Sequence, residues 1–227
     1  THDSEKLSLL RLLVQLPQLR RAYGRELKVF RSESNLGRLQ LFSLIILVAV
    51  ANAYIFMSFP TPQSRILFLV MGGISAASLA VSLRVSFSSR FTTVETMKKA
   101  GYGSTALKSG LVHLMITVYF LWTTLQLYYG GGDVRSFVTY AAGIMLIPAV
   151  FSLDPLFFLL LGVAEAGVLF LFPYAVPALT PALVFDYLPL LLNIILLGLL
   201  IAGLHYLITL ELFLIQKTRE EKERKTE

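Results

Sequence analysis

The chain has 227 residues, of which 56% are hydrophobic and only 15% charged, with a mean hydropathy of +0.70. A soluble domain carries about 25% charged residues, so this composition excludes an ordinary soluble domain and a disordered chain. The net charge of +6 is confined to particular segments, which points to a bilayer and away from nucleic acid as partner. With no Cys in the chain, disulfides, thiolate-held zinc, iron–sulfur clusters and thiol nucleophiles are also excluded.

The expected fold is all-α: a polytopic membrane helix bundle with six transmembrane helices and both termini cytoplasmic. Residues 1–38 read as a basic amphipathic arm. Leu7, Leu10 and Val14 share one helical face, and Leu19, Tyr23, Leu27 and Phe30 continue it, while Arg20, Arg21, Arg25, Lys28 and Arg31 crowd the other side. Such a segment beside a span is suited to an anionic leaflet, so anionic lipid is the expected partner of Arg20, Arg21, Arg25 and Lys28. Packing on the 84–105 connection or a cytoplasmic domain is the alternative.

A bilayer core of about 30 Å takes roughly 20 apolar residues per helix, and six runs approach that length: 39–59, 66–87, 106–129, 134–153, 155–173 and 188–216. Pro60 and Pro62 end the first; Gly130–Asp133 and Asp154-Pro155 mark turns. Lys and Arg are biased eighteen to two toward the arm, the 84–105 connection and the tail, leaving only Arg65 and Arg135 opposite. That bias places those segments in the cytoplasm. The outer segments, of which 174–187 is the largest, leave no room for a separate domain, and Tyr54, Phe56, Tyr128, Tyr129, Phe137, Tyr174, Phe185 and Tyr187 are expected to form an interfacial belt. The sixth run passes into a charged tail, 217–227, without a Gly or Pro stop after Gly203; the pairs Glu220–Arg224 and Glu221–Lys225 sit four apart in helix-supporting order. The tail therefore reads as the start of a cytoplasmic signalling helix whose continuation leads to another domain, with a free solvated tail as the alternative.

No catalytic constellation emerges. The three His are scattered, and no metal-binding or nucleophile motif occurs, so no catalytic residue, metal or cofactor is assigned. Gly101-Tyr102-Gly103 lacks the strand that a dinucleotide site requires. Glu165, near the centre of the fifth run, is the sharpest polar residue, because an acid at mid-membrane must face the bundle, pair or be protonated. His113, as its partner, and Asn52 and Asn193 complete the candidate ligand or proton site. A packing role, with hydrogen bonds between helices, is the plainer reading of all four.

Two stretches carry a resemblance. Ser34-Asn35-Leu36-Gly37-Arg38-Leu39 before the first run, and Asn193, His205-Tyr206, Phe213 and Lys217-Thr218-Arg219-Glu220-Glu221 along the sixth, resemble the six-span sensory modules of bacterial signalling proteins. Such modules precede GGDEF diguanylate cyclase, histidine kinase or phosphatase domains, and a six-span adenylate cyclase anchor has the same layout. The resemblance implies a signal-input module of a bacterial inner membrane, a homodimer that binds a small or lipophilic ligand. It implies relay through His205, Tyr206, Glu211, Lys217 and Glu221 to a cyclase or kinase, with the output domain outside this sequence; the plainer reading of His205 and Glu211 is that they mark the membrane boundary. Gly198 and Ala202 offer a small-residue face for dimer packing. The competing readings are a small six-span transporter or its substrate-binding subunit, with Glu165 on the path, and, last, a lipid-directed membrane enzyme.

Overall fold

The computed structural model describes residues 9–56, 58–59, 61–89, 103–129, 134–175 and 181–226. These are all-helical: α1 (Leu9–Phe56), α2 (Pro62–Ser89), α3 (Gly103–Tyr129), α4 (Val134–Val150), α5 (Pro155–Ala175) and α6 (Pro181–Thr226). Three of the helices begin on a proline, whose fixed backbone angle suits a first turn and whose missing N–H is not needed there. The preceding residues act as caps for two of them. Thr61 Oγ1 accepts from the Ser64 N–H at 3.1 Å, and Asp154 Oδ1 accepts from the Leu156 N–H at 3.1 Å.

Four helices are long and apolar enough to cross a membrane, those containing 14–56, 62–87, 104–129 and 189–223; the apolar parts of α4 and α5 are shorter, at 140–150 and 155–168. The outward-facing side chains of the long helices are apolar as well, for example Leu41, Ile45 and Val48 on α1 and Leu196, Leu200 and Ile208 on α6. A water-soluble bundle would turn polar side chains outward at those positions. The chain is a membrane protein.

The helix boundaries differ from the sequence reading at both ends of the chain. The described part of the arm and the first run to Phe56 are one unbroken helix of 48 residues, even with Pro17 inside it. The last helix, 46 residues long, takes in residues of the expected outer segment, the sixth run and the tail, and does not break at Lys217. At 1.5 Å per residue each spans about 70 Å, more than twice the hydrocarbon core.

One core cluster fills the bundle, with Phe42, Phe120, Phe137, Phe151 and Phe158 fully buried. Phe42 is edge-on to both Tyr119 and Phe151, at 5.0 and 5.3 Å between centroids. Tyr128 and Phe137, expected in an outer belt, belong to this core, whereas Phe56 is 79% exposed. The side chains of Tyr174, Phe185 and Tyr187 lie outside the described residues. A second cluster sits beyond the bundle, where Leu19, Tyr23, Leu27 and Phe30 of α1 meet Tyr206, Leu207, Leu210 and Phe213 of α6. The apolar face of the arm from Leu19 to Phe30 is thus laid against the last helix, antiparallel to it, whereas Val14, expected on the same face, is 80% exposed. Farther along, Lys217 pairs with Glu26 at 2.6 Å and sits 3.9 Å over the Tyr23 ring.

Small residues let α5 and α6 approach closely. A Cβ on Gly198 would lie 2.6 Å from Phe158 Cζ, and one on Gly162 would lie 3.0 Å from Ile195 Cγ2. Ala202 is fully buried. The Gly198/Ala202 face expected at a dimer contact is therefore turned into the protomer's own core.

Candidate functional site

Some of the residues that carried the resemblance, Asn35 and Arg38 of α1 and His205 and Tyr206 of α6, come together at one junction although they lie some 170 positions apart in the chain, whereas Asn193 and Glu221 are exposed and take no part in it. The junction begins at the end of α4. Were that helix to continue, the Ser152 N–H would bond to the Pro148 carbonyl four residues back. Instead the chain turns, with the Leu153 N–H on the Phe151 carbonyl at 3.1 Å, and Asn35 of α1 takes over both backbone groups of Ser152. Its Nδ2 donates to the Ser152 carbonyl at 2.9 Å, and its Oδ1 accepts from the Ser152 N–H at 3.0 Å. A side-chain amide carries one donor and one acceptor side by side, so it satisfies a peptide's own pair in place of a neighbouring strand. Both partners are buried.

The Pro148 carbonyl released by this arrangement is taken by His205 of α6. His205 Nδ1 lies 3.1 Å from Pro148 O, and His205 Nε2 lies 2.7 Å from Arg38 Nη1. A carbonyl can only accept and a guanidinium can only donate, so the ring is the neutral Nδ1–H tautomer. The chain Arg38–His205–Pro148 therefore joins α1, α6 and α4. Around it, the Arg31 guanidinium lies 5.2 Å from the centre of the Tyr206 ring, and Phe213 meets Tyr23 and Phe30 at 6.2 and 5.7 Å. Of the expected relay residues, His205, Tyr206 and Lys217 are engaged with α1 in this way. Glu211 is half-buried on α6 and Glu221 is exposed. The partners proposed for the tail carboxylates, Arg224 and Lys225, have side chains outside the described residues.

The four residues expected to form a ligand or proton site are not brought together. Glu165 is buried, 6% exposed, and accepts from Tyr140 Oη at 3.1 Å. His113 is near the start of α3, bonded through Nδ1 to the Ser109 carbonyl at 2.6 Å and edge-on to Phe157 at 4.3 Å. Phe157 lies two turns of α5 before Glu165, so His113 and Glu165 occupy different levels of the bundle. Asn52 faces outward and donates to the Val48 carbonyl of its own helix at 3.0 Å; Asn193 is also exposed.

Sequence reasoning missed two features at the junction. Lys108, 2% exposed, forms an ion pair with Glu33, tying the start of α3 to α1. A cavity of about 350 Å³ opens between α1, α3, the 151–154 turn and α6, lined by Lys28, Arg31, Asn35, His113, Ser152 and Asp154 among others. Asp154 is held there by Arg20 at 3.0 Å. Both features depend on which helices are neighbours, which no local pattern encodes; the one sequence signal was the density of basic residues between 20 and 38. Among the described residues no group of three or more His, Asp or Glu could hold a metal ion. Comparison of the chain with protein-family models, curated proteins and solved structures finds no match to any of them.

Proposed function

We propose that the chain is a membrane-embedded signal-input module of six transmembrane helices with cytoplasmic termini. In this reading α4 and α5 complete the set of spans, and the eighteen-to-two distribution of Lys and Arg sets the orientation, as cytoplasmic loops retain positive charge. A ligand- or membrane-dependent change in bundle packing passes through α6 to a cytoplasmic output domain such as a nucleotide cyclase or kinase, with two copies of the chain acting together.

The observation that carries the proposal is the unbroken α6, pinned to α1 and α4 through His205. A helix that is one piece from the bundle core to Thr226 transmits a shift at Gly198 or Ala202 to its far end, because rotation or translation cannot be absorbed at a break. Sensing requires the ligand to bind two packings with different affinity, and the close packing of Phe158 on Gly198 couples the position of α6 to that of α5. The second reading is a small six-span transporter or its substrate-binding subunit with Glu165, bonded to Tyr140 inside the bundle, on its path.

The test joins α6 after Thr226 to a dimeric adenylate cyclase domain through linkers lengthened one residue at a time across a heptad. Relay predicts activity that rises and falls with the helical repeat and a shift in that pattern for Arg38→Gln, which cuts α1 from His205. Activity indifferent to both register and Arg38 would refute relay, and substrate uptake into vesicles, abolished by Glu165→Gln, would establish the transporter.

A further inference from the structure

The cavity at the junction of α1, α3 and α6 holds an unbalanced set of donors. Ser152, one of the lining residues, is 0% exposed, and its Oγ has no partner among the protein's groups. The Arg31 Nε is buried in the same wall and likewise finds no acceptor. A buried donor left without an acceptor costs about 1–3 kcal/mol, more when it is charged. The wall also carries Lys28, and its single acid, Asp154, is already occupied by Arg20 and by the Leu156 N–H. Two cations therefore line a space whose only carboxylate is already engaged, and an unpartnered hydroxyl is buried in the same wall.

We infer that this cavity is a binding site for a phosphate-class oxyanion, with Arg31 and Ser152 donating to its oxygens and Lys28 supplying the second positive charge. A planar guanidinium beside a hydroxyl donor suits an oxyanion that presents several acceptors, and charge-assisted bonds of this kind are about twice as strong as neutral ones. The volume of about 350 Å³ is at the lower end of the range of small-ligand sites and leaves room for a phosphate with a small substituent. Two sources share this chemistry, a free phosphate or its ester and the headgroup of an anionic lipid. The site does not depend on the signalling proposal, because anion binding is read from stability and relay from the fused cyclase.

The experiment follows thermal unfolding of the whole chain in two arms. In the first, purified protein in neutral detergent is titrated with inorganic phosphate at constant ionic strength against chloride. In the second, the protein is placed in phosphatidylcholine nanodiscs with increasing phosphatidylglycerol. The expected result is a saturable rise in Tm in at least one arm, with the half-saturating point raised about tenfold by Arg31→Gln. Ser152→Ala leaves the anion-free Tm unchanged or higher, since it removes an unpaired hydroxyl, and weakens the response severalfold. It therefore decides the matter even if Arg31→Gln folds poorly. A response to phosphate identifies a free anion as sufficient, and a response to phosphatidylglycerol alone identifies the headgroup. No saturable response in either arm, or one that survives both substitutions unchanged, overturns the proposal.

Discussion

Replacing Asn35 with leucine tests the junction at its narrowest point. Leucine keeps the branched outline of asparagine but offers neither donor nor acceptor, so the N–H and the carbonyl of Ser152 both lose their partner. Ser152 is buried and its turn is followed at once by α5, which leaves the backbone no helical alternative. Two orphaned buried groups at about 1–3 kcal/mol each give a loss of about 2–6 kcal/mol. The folded-to-unfolded ratio then falls by at least about 30-fold, at tenfold per 1.4 kcal/mol. Steric-trap or denaturant unfolding in micelles measures this. Asn52→Leu is the matched control, because Asn52 is exposed and bonds only to its own helix; it should change stability by no more than about 0.5 kcal/mol. If Asn35→Leu costs no more than Asn52→Leu, the clamp does not hold the turn and the reasoning fails.

Three further outcomes follow from particular contacts. Glu165→Gln should fold normally, because the amide oxygen can still accept from Tyr140; Tyr140→Phe should cost about 1 kcal/mol in the same unfolding assay. Gly198→Ala should lose about 1–3 kcal/mol, since its methyl would meet the Phe158 ring at 2.6 Å, and Phe158→Leu in the same chain should recover most of that loss. Glu33→Gln should destabilise more than Lys108→Met, by up to about 3–5 kcal/mol, because it strands an ammonium that is 2% exposed, whereas Glu33 left alone still reaches solvent.

The helices and their apolar character were legible in the sequence because each run is long, but Pro62 was read only as ending the first run and Pro181 was left in the outer segment, although each opens a helix. Which way each helix faces was not legible. Along α1 and α6 the lipid-facing and buried positions are both apolar, so the pattern lacks the polar stripe that would mark the outside of a soluble helix. Asn52 shows the consequence: it was expected to face a neighbour, but a carbonyl one turn back on its own helix satisfies it and leaves it exposed. Gly198 was read as consistent with a dimer face and equally with packing inside any bundle, and Phe158 fills that space from within the protomer. The arm was legible as an amphipathic helix, yet its apolar face is satisfied by Phe213 and Leu210 of α6, nearly 200 residues later. Asn35, Arg38 and His205 were noticed through their resemblance to other proteins' residues, whereas their meeting at Ser152 and Pro148 follows only from the tertiary arrangement.

The proposed relay depends most on α6 being one continuous helix across the boundary between bundle and tail. The chain has no Cys, so spin labels can be placed cleanly at Leu200 and Glu223, both exposed. For a continuous helix the two backbone positions lie about 35 Å apart. Double electron–electron resonance in nanodiscs should give one narrow distribution consistent with that separation. A broad distribution, or one dominated by much shorter distances, would mean a hinge near Lys217 and would remove the physical carrier of the proposed relay.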